Sequence, residues 1–304
     1  CTTSLEKKQA ADAEQTAVMS SSTVDESGGC SDGGQTGADD DNSNNELQDI
    51  LSVMVNARDK QTGKKLSTKE LTDQILTFLL AGHETTSNTL AWAFHLLSTS
   101  PEVQEKVVEE RKAVRAARLE ESGGSSADDG DEYDLQFEDM QKLNYTKCVV
   151  FEALRLYPTL SRIMRKAEKT AQLGDYTVPK NAVMRVSLIG MGRSQKIWGE
   201  NAEKFQPERF NDKKFLASWA IGGKNIPGGR DFAFLPFGAG QRTCMGKRFA
   251  LLETTYVIST ALSRFRVEPA PGHGEVEMVS DITMGPKKGL HLRLAPRGAS
   301  CRRR

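Results

Sequence analysis

The chain has 304 residues, with 41 Lys and Arg against 41 Asp and Glu, so its formal net charge is zero. That balance gives no electrostatic reason to expect nucleic acid or an anionic membrane as partner. Hydrophobic residues make up 38%, low for a globular enzyme, which places part of the chain outside any core.

The first residue is Cys1 rather than methionine, so the chain reads as a piece of a longer frame, and a missing leader or anchor carries no weight. Residues 1–45 are rich in Ser, Gly, Asp, Asn, Gln and Thr and hold almost no aromatics. Such a segment cannot bury enough apolar surface to offset its ordering entropy, which predicts a disordered, polar and acidic arm. Order is expected from Glu46, where "LQDILSVMVNA" has helical apolar spacing.

Next comes "LSTKELTDQILTFLLAGHETTSNTLAWAFHLLSTSP". Ser67 and Glu70 stand at the spacing of a capping box, and Pro101 closes the run. One helix of roughly thirty residues fits between them, long by globular standards. Its apolar stretch, Ile75 to Ala81, is too short to span a bilayer, so the chain as it stands reads as soluble. A further helix is predicted from Pro101 towards Arg118, followed by a flexible insert at 121–134. Another helix, "YTKCVVFEALRLYP", stops at Pro158.

Residues 159–195 alternate short apolar runs with turn residues and predict strands. The glycine-rich stretch from Pro207 to Thr243 predicts coil. A last long helix follows Cys244, strand-like pieces such as "LHLRLA" end the domain, and 296–304 form a basic tail. The expected fold is mainly α with minor β.

Five cysteines, Cys1, Cys30, Cys148, Cys244 and Cys301, are scattered without a CxxC pair, which argues against a zinc site or a disulfide framework. Cys244 stands apart, inside "FLPFGAGQRTCMG" at the start of a helix. Helix N-terminal N–H groups favour the thiolate there. Gly238, Gly240 and Gly246 would let the backbone turn sharply and approach something flat. Phe237 offers an aromatic face, and Arg242 a cation for an acidic group. Together these describe an iron porphyrin with an axial cysteine. A lone cysteine is ordinarily a small buried hydrophobe. The full spacing Phe237-Gly238-x-Gly240-x-Arg242-x-Cys244-x-Gly246 favours the porphyrin.

Two more motifs bear on the site. In "FEALRLYP", Glu152 and Arg155 lie three apart on a helix with few other polar residues, so the pair is expected to be buried and to need a third partner. Arg209 and Glu208, in "FQPERF", both qualify. In "AGHETT", Gly82 weakens the long helix, and Thr85 and Thr86 can bond back to carbonyls and bend it. That pattern suggests a local opening with room for a small ligand and a proton path; a polar surface patch is the plainer alternative.

The ordered set "AGHETT", "EALR", "PERF", "FGAGQRTCMG" resembles the cytochrome P-450 family of haem-thiolate monooxygenases, over roughly residues 46–295. The resemblance implies a C-terminal, haem-ligating half of the fold, without the usual N-terminal half. It implies haem b with Cys244 as the axial ligand to iron, Phe237 shielding the thiolate, Gly238 and Gly246 giving clearance, and Arg242 and Arg162 as propionate contacts. Ala81 and Gly82 would line the oxygen pocket, Glu84 and Thr85 would supply protons, and Glu152, Arg155 and Arg209 would form a structural triad. Electrons are expected from NADPH through a flavoprotein reductase or ferredoxin, docking near Lys247 and Arg248 unless these are ordinary solvated charges.

The reaction implied is insertion of one atom of O2 into a hydrophobic small-molecule substrate. Gly192 before Arg193, where many members have histidine, is similar to plant-type fatty-acid hydroxylases and makes long-chain acyl substrates the first expectation. A haem-thiolate isomerase or dehydratase and a non-catalytic haem-binding remnant are the competing expectations. For a full-length protein, the resemblance implies the endoplasmic reticulum membrane or the plastid, with any anchor in the part before this chain.

Overall fold

The computed structural model describes residues 49–122, 135–212, 216, 232–272 and 274–297. The polar arm at 1–45, the insert beyond residue 122 and the tail beyond residue 297 lie outside the described residues. The account below is of the unit Leu51–Arg304 together with Ile50, which begins its first helix.

Helix α1 (Ile50–Asn56) is short and buries none of its residues. Helix α2 (Thr68–Ser98) has 31 residues. At its start the Ser67 hydroxyl accepts from the Glu70 N–H, and the Glu70 carboxylate accepts from the Ser67 N–H at 2.9 Å. That reciprocal pair satisfies two otherwise orphaned donors. Pro101 opens the next helix, α3 (Pro101–Ser122), where its missing N–H costs nothing. Helix α3 runs past Arg118, so Glu121 and Ser122 of the expected insert are its last turn.

Helix α4 (Phe137–Lys142) leads into α5 (Asn144–Leu156), which is buried continuously from Cys148 to Leu156. Helix α5 lacks a side-chain cap of its own. Glu110 of α3 takes that role, accepting from the N–H groups of Tyr145 at 2.6 Å and Thr146 at 2.9 Å.

Among the described residues, the strands form four two-stranded antiparallel pieces. Strand β1 (Arg162–Lys166) pairs with β4 (Val183–Ser187), and β2 (Ala171–Leu173) with β3 (Tyr176–Val178). The stretch predicted as strand then departs from expectation. Leu188–Gly192 is a helical turn, α6, because the Ser187 hydroxyl caps it by accepting from the Gly190 N–H and Leu188 is buried. A second turn, α7 (Gln195–Trp198), buries Trp198. Within the expected coil, Pro207–Phe210 and Gly240–Arg242 are 3-10 turns.

Helix α8 (Lys247–Arg264) precedes β5 (Phe265–Pro269), β6 (Met278–Ser280), β7 (Met284–Pro286) and β8 (Leu292–Pro296). Strand β5 pairs with β8, and β6 with β7.

The core forms where α5 packs against the second half of α2, α3, α8 and the Pro207–Phe210 turn. Leu97, Val107, Val149, Phe210, Ile258 and Leu262 are fully buried there. Gln104 ties the layers together, donating to the Leu97 and Val267 carbonyls and accepting from the Val267 N–H. Among the described residues, no helix is long and apolar enough to cross a membrane.

Candidate functional site

The Arg155 guanidinium is buried and donates on every side. Its Nε and Nη2 donate to the two Glu152 carboxylate oxygens at 2.6 and 2.7 Å, with both side chains fully buried. The remaining donors reach the carbonyls of Gly192 at 2.5 Å, Ala202 at 2.6 Å and Lys204 at 3.1 Å. Arg209 Nε donates to Glu152 Oε1 at 3.3 Å, while its Nη groups reach the Trp198 and Asn201 carbonyls.

Of the two third partners the sequence left open, Arg209 therefore takes the place on Glu152. Glu208 faces the other way, accepting from Lys106 at 2.6 Å and the Tyr145 hydroxyl at 2.8 Å. Gly192 owes its identity to this cluster: a Cβ there would lie 2.0 Å from the Arg155 carbonyl oxygen.

The Cys244 loop is built on backbone bonds. The Cys244 N–H donates to the Phe237 carbonyl at 2.8 Å, and the Thr243 N–H to the Gly240 carbonyl at 3.1 Å. Gly238 and Gly240 have φ of 71° and 73°, the left-handed region that glycine enters without strain. Gly246 differs from the expectation of a sharp turn. Its φ is −79°, open to any residue, and a Cβ there would meet Cys244 Sγ at an ordinary 3.9 Å. The Cys244 thiol is exposed and lies just ahead of α8. Phe237 is partly buried against the core, so its carbonyl and its ring both fix the loop. Arg242 is exposed and has no carboxylate partner among the described residues.

On α2, Ala81, Gly82 and Glu84 are exposed and Thr85 is partly buried. The Thr85 hydroxyl donates to the Ala81 carbonyl at 2.7 Å. The helix remains α throughout this stretch. Nothing lies within 4 Å of where a Gly82 Cβ would stand, so there is open space beside it. Glu84 Oε1 accepts from the Thr283 hydroxyl at 2.6 Å, a contact across 199 positions that no local pattern announces.

A family model described as cytochrome P-450 matches residues 31–293. The chain belongs to the cytochrome P-450 family. The chain is 36% identical over 224 residues, 74% of its length, to cyclooctat-9-en-7-ol 5-monooxygenase of Streptomyces melanosporofaciens. It is also 36% identical over 81% of its length to the bifunctional cytochrome P-450/NADPH–P-450 reductase 2 of Bacillus subtilis (strain 168). Cytokinin hydroxylase of Arabidopsis thaliana is 32% identical over 82% of the chain. The matches cover 43%, 21% and 42% of those relatives, so the chain spans less than half the length of each.

Membership in the cytochrome P-450 family implies haem. The donor set fits it: Cys244 supplies one exposed thiol, a soft ligand suited to iron, on a loop fixed by its own backbone bonds. Arg242 and Arg162 offer exposed guanidinium groups with no carboxylate partner among the described residues. Two apolar side chains that follow the thiol in sequence, Met245 and Phe249, are exposed and suit the face of a large flat ring. The basic pair after Cys244 divides in two. Arg248 is exposed, whereas Lys247 is partly buried, and burial followed by the neighbouring Arg248 charge pushes its ammonium below the usual lysine range.

Proposed function

We propose that the chain carries the haem-ligating part of a monooxygenase that inserts one oxygen atom from O2 into a hydrophobic substrate. The observation that carries this reading is the exposed Cys244 thiol on its glycine-turned loop ahead of α8. Haem bound there supplies the redox iron at which dioxygen is reduced and a C–H bond oxidised.

In this reading Cys244 holds the iron as thiolate, Gly238 lets its loop turn, Phe237 shields the sulfur, and Arg242 and Arg162 meet acidic groups on the ring edge. Glu84 and Thr85 hold the protons. For Thr85 to give up its proton, its hydroxyl must leave the Ala81 carbonyl it now serves. Glu152, Arg155 and Arg209 do no chemistry; they fix the segment that leads to the Cys244 loop. Electrons come from NADPH through a flavoprotein reductase or a ferredoxin, a route supported by the reductase-fused Bacillus relative. Long-chain acyl compounds are the first substrate class.

A second reading, a haem-binding piece without turnover of its own, is favoured by the share of each relative that the chain spans. The reduced carbon-monoxide difference spectrum of haem-supplied chain, with Cys244→Ala beside it, tests both. A thiolate-type Soret shift that vanishes in Cys244→Ala is the expected result, and turnover with a reductase then separates the two readings. Soluble protein without the shift would sink both.

A further inference from the structure

We propose that Thr283, with Asn88 behind it, is the positioning residue for the Glu84 carboxylate. This rests on the reading of Glu84 as the proton-holding acid.

The turn Asp281–Thr283 joins β6 to β7, and the start of β7 is tied to two other segments. Trp92 Nε1 of α2 donates to the Met284 carbonyl at 3.0 Å, and the Met284 N–H donates to the carbonyl of Thr159, beyond α5, at 2.8 Å. Strand β7 lies so close to α2 that a Cβ on Gly285 would stand 2.7 Å from Asn88 Oδ1. Glycine at 285 therefore admits the Asn88 carboxamide, whose Nδ2 donates to Thr283 Oγ1 at 3.0 Å.

That bond sets a direction. The Asn88 amide nitrogen can only donate, so Thr283 Oγ1 accepts from it. The single hydroxyl proton of Thr283 is left for Glu84 Oε1, 2.6 Å away. Thr283 is itself buried, which limits competition from water for its hydroxyl. A carboxylate on an exposed helix face would otherwise sample many rotamers. Here one of its oxygens is held by a residue anchored to a different element. Asn88 and Glu84 are one helical turn apart on α2, so Thr283 bridges two side chains of the helix that carries the acid.

Thr283 touches neither substrate nor cofactor in this scheme; it acts through Glu84. Glu84 Oε1 serves Thr283, and the Thr85 hydroxyl proton serves the Ala81 carbonyl. Glu84 is thus presented from the β6–β7 side while its second oxygen stays available.

The test compares Thr283→Val, which keeps the shape and loses the hydroxyl, with Thr283→Ser, which keeps the hydroxyl. Infrared spectra of the full chain in deuterated buffer would read the Glu84 carboxylate stretch, assigned by its loss in Glu84→Gln. The band is expected to shift in Thr283→Val and return in Thr283→Ser. With haem, a reductase, NADPH and dodecanoic acid as probe, Thr283→Val should lower kcat about tenfold at unchanged KM, and Thr283→Ser should restore it. An unchanged band in Thr283→Val overturns the proposal, whatever the turnover. A shifted band with unchanged turnover overturns the role given to Glu84 and reduces the contact to a structural bond.

Discussion

Two helical stretches of similar apolar density meet opposite fates. In α5, "CVVFEALRL" is buried at every position, charges included. In the first half of α2, "ILTFLLAG" leaves Leu76, Leu79 and Leu80 58%, 62% and 72% exposed. Hydrophobicity does not separate them; neighbours do. Helix α5 lies among α2, α3, α8 and the Pro207–Phe210 turn, whereas the buried residues of α2 begin only at Thr86. A run of leucines states a demand for burial, and the chain meets that demand in one place and not in the other.

The sharpest way to break the contrast is Arg155→Leu. It leaves the Glu152 carboxylate buried with only Arg209 and the Gln206 N–H as partners. Loss of one member of a buried pair should cost about 3–5 kcal/mol in denaturant unfolding. A loss under about 1 kcal/mol would mean that α5 is less closed than its burial indicates.

A smaller effect is expected from pH. Burial, then the Glu110 and Glu208 charges, push the Cys148 thiol of α5 up to about 12. In the unfolded chain that thiol ionises near its ordinary 9, so between pH 9 and 12 the unfolded state holds fewer protons than the folded one. Stability should therefore fall with rising pH across this window. Cys148→Ala should flatten that part of the slope in a series of urea titrations.

The least change belongs to the open stretch. Leu80→Glu should alter stability by no more than about 0.5 kcal/mol, because there is little packing to lose. A larger loss would show that this face is covered in solution.

The same contrast explains what could be read in advance. Element types followed from periodicity and punctuation: Ser67 with Glu70 marks the start of α2, and Pro158 lies just past the end of α5. The family pattern around Cys244 was legible because its spacing is local. Leu188–Gly192 was not, since "VSLIG" suits a strand as well as a helical turn and the Ser187 cap with Leu188 burial decides. The choice between Arg209 and Glu208 depended on which way a 3-10 turn faces. Thr283 carried no signal at all, being a threonine in an irregular turn that reaches Glu84 only in three dimensions.

The capping of α5 by Glu110 also bears on how that helix is stabilised. A 13-residue helix is marginal alone in water, and this one begins without a cap of its own. Its first donors find their acceptor on α3, 35 positions upstream. Helix α5, which later shields the whole Arg155 cluster, is thus a dependent element. Its N-terminal partners are in place only when α3 is docked, so the local stability of this helix is tied to a tertiary contact.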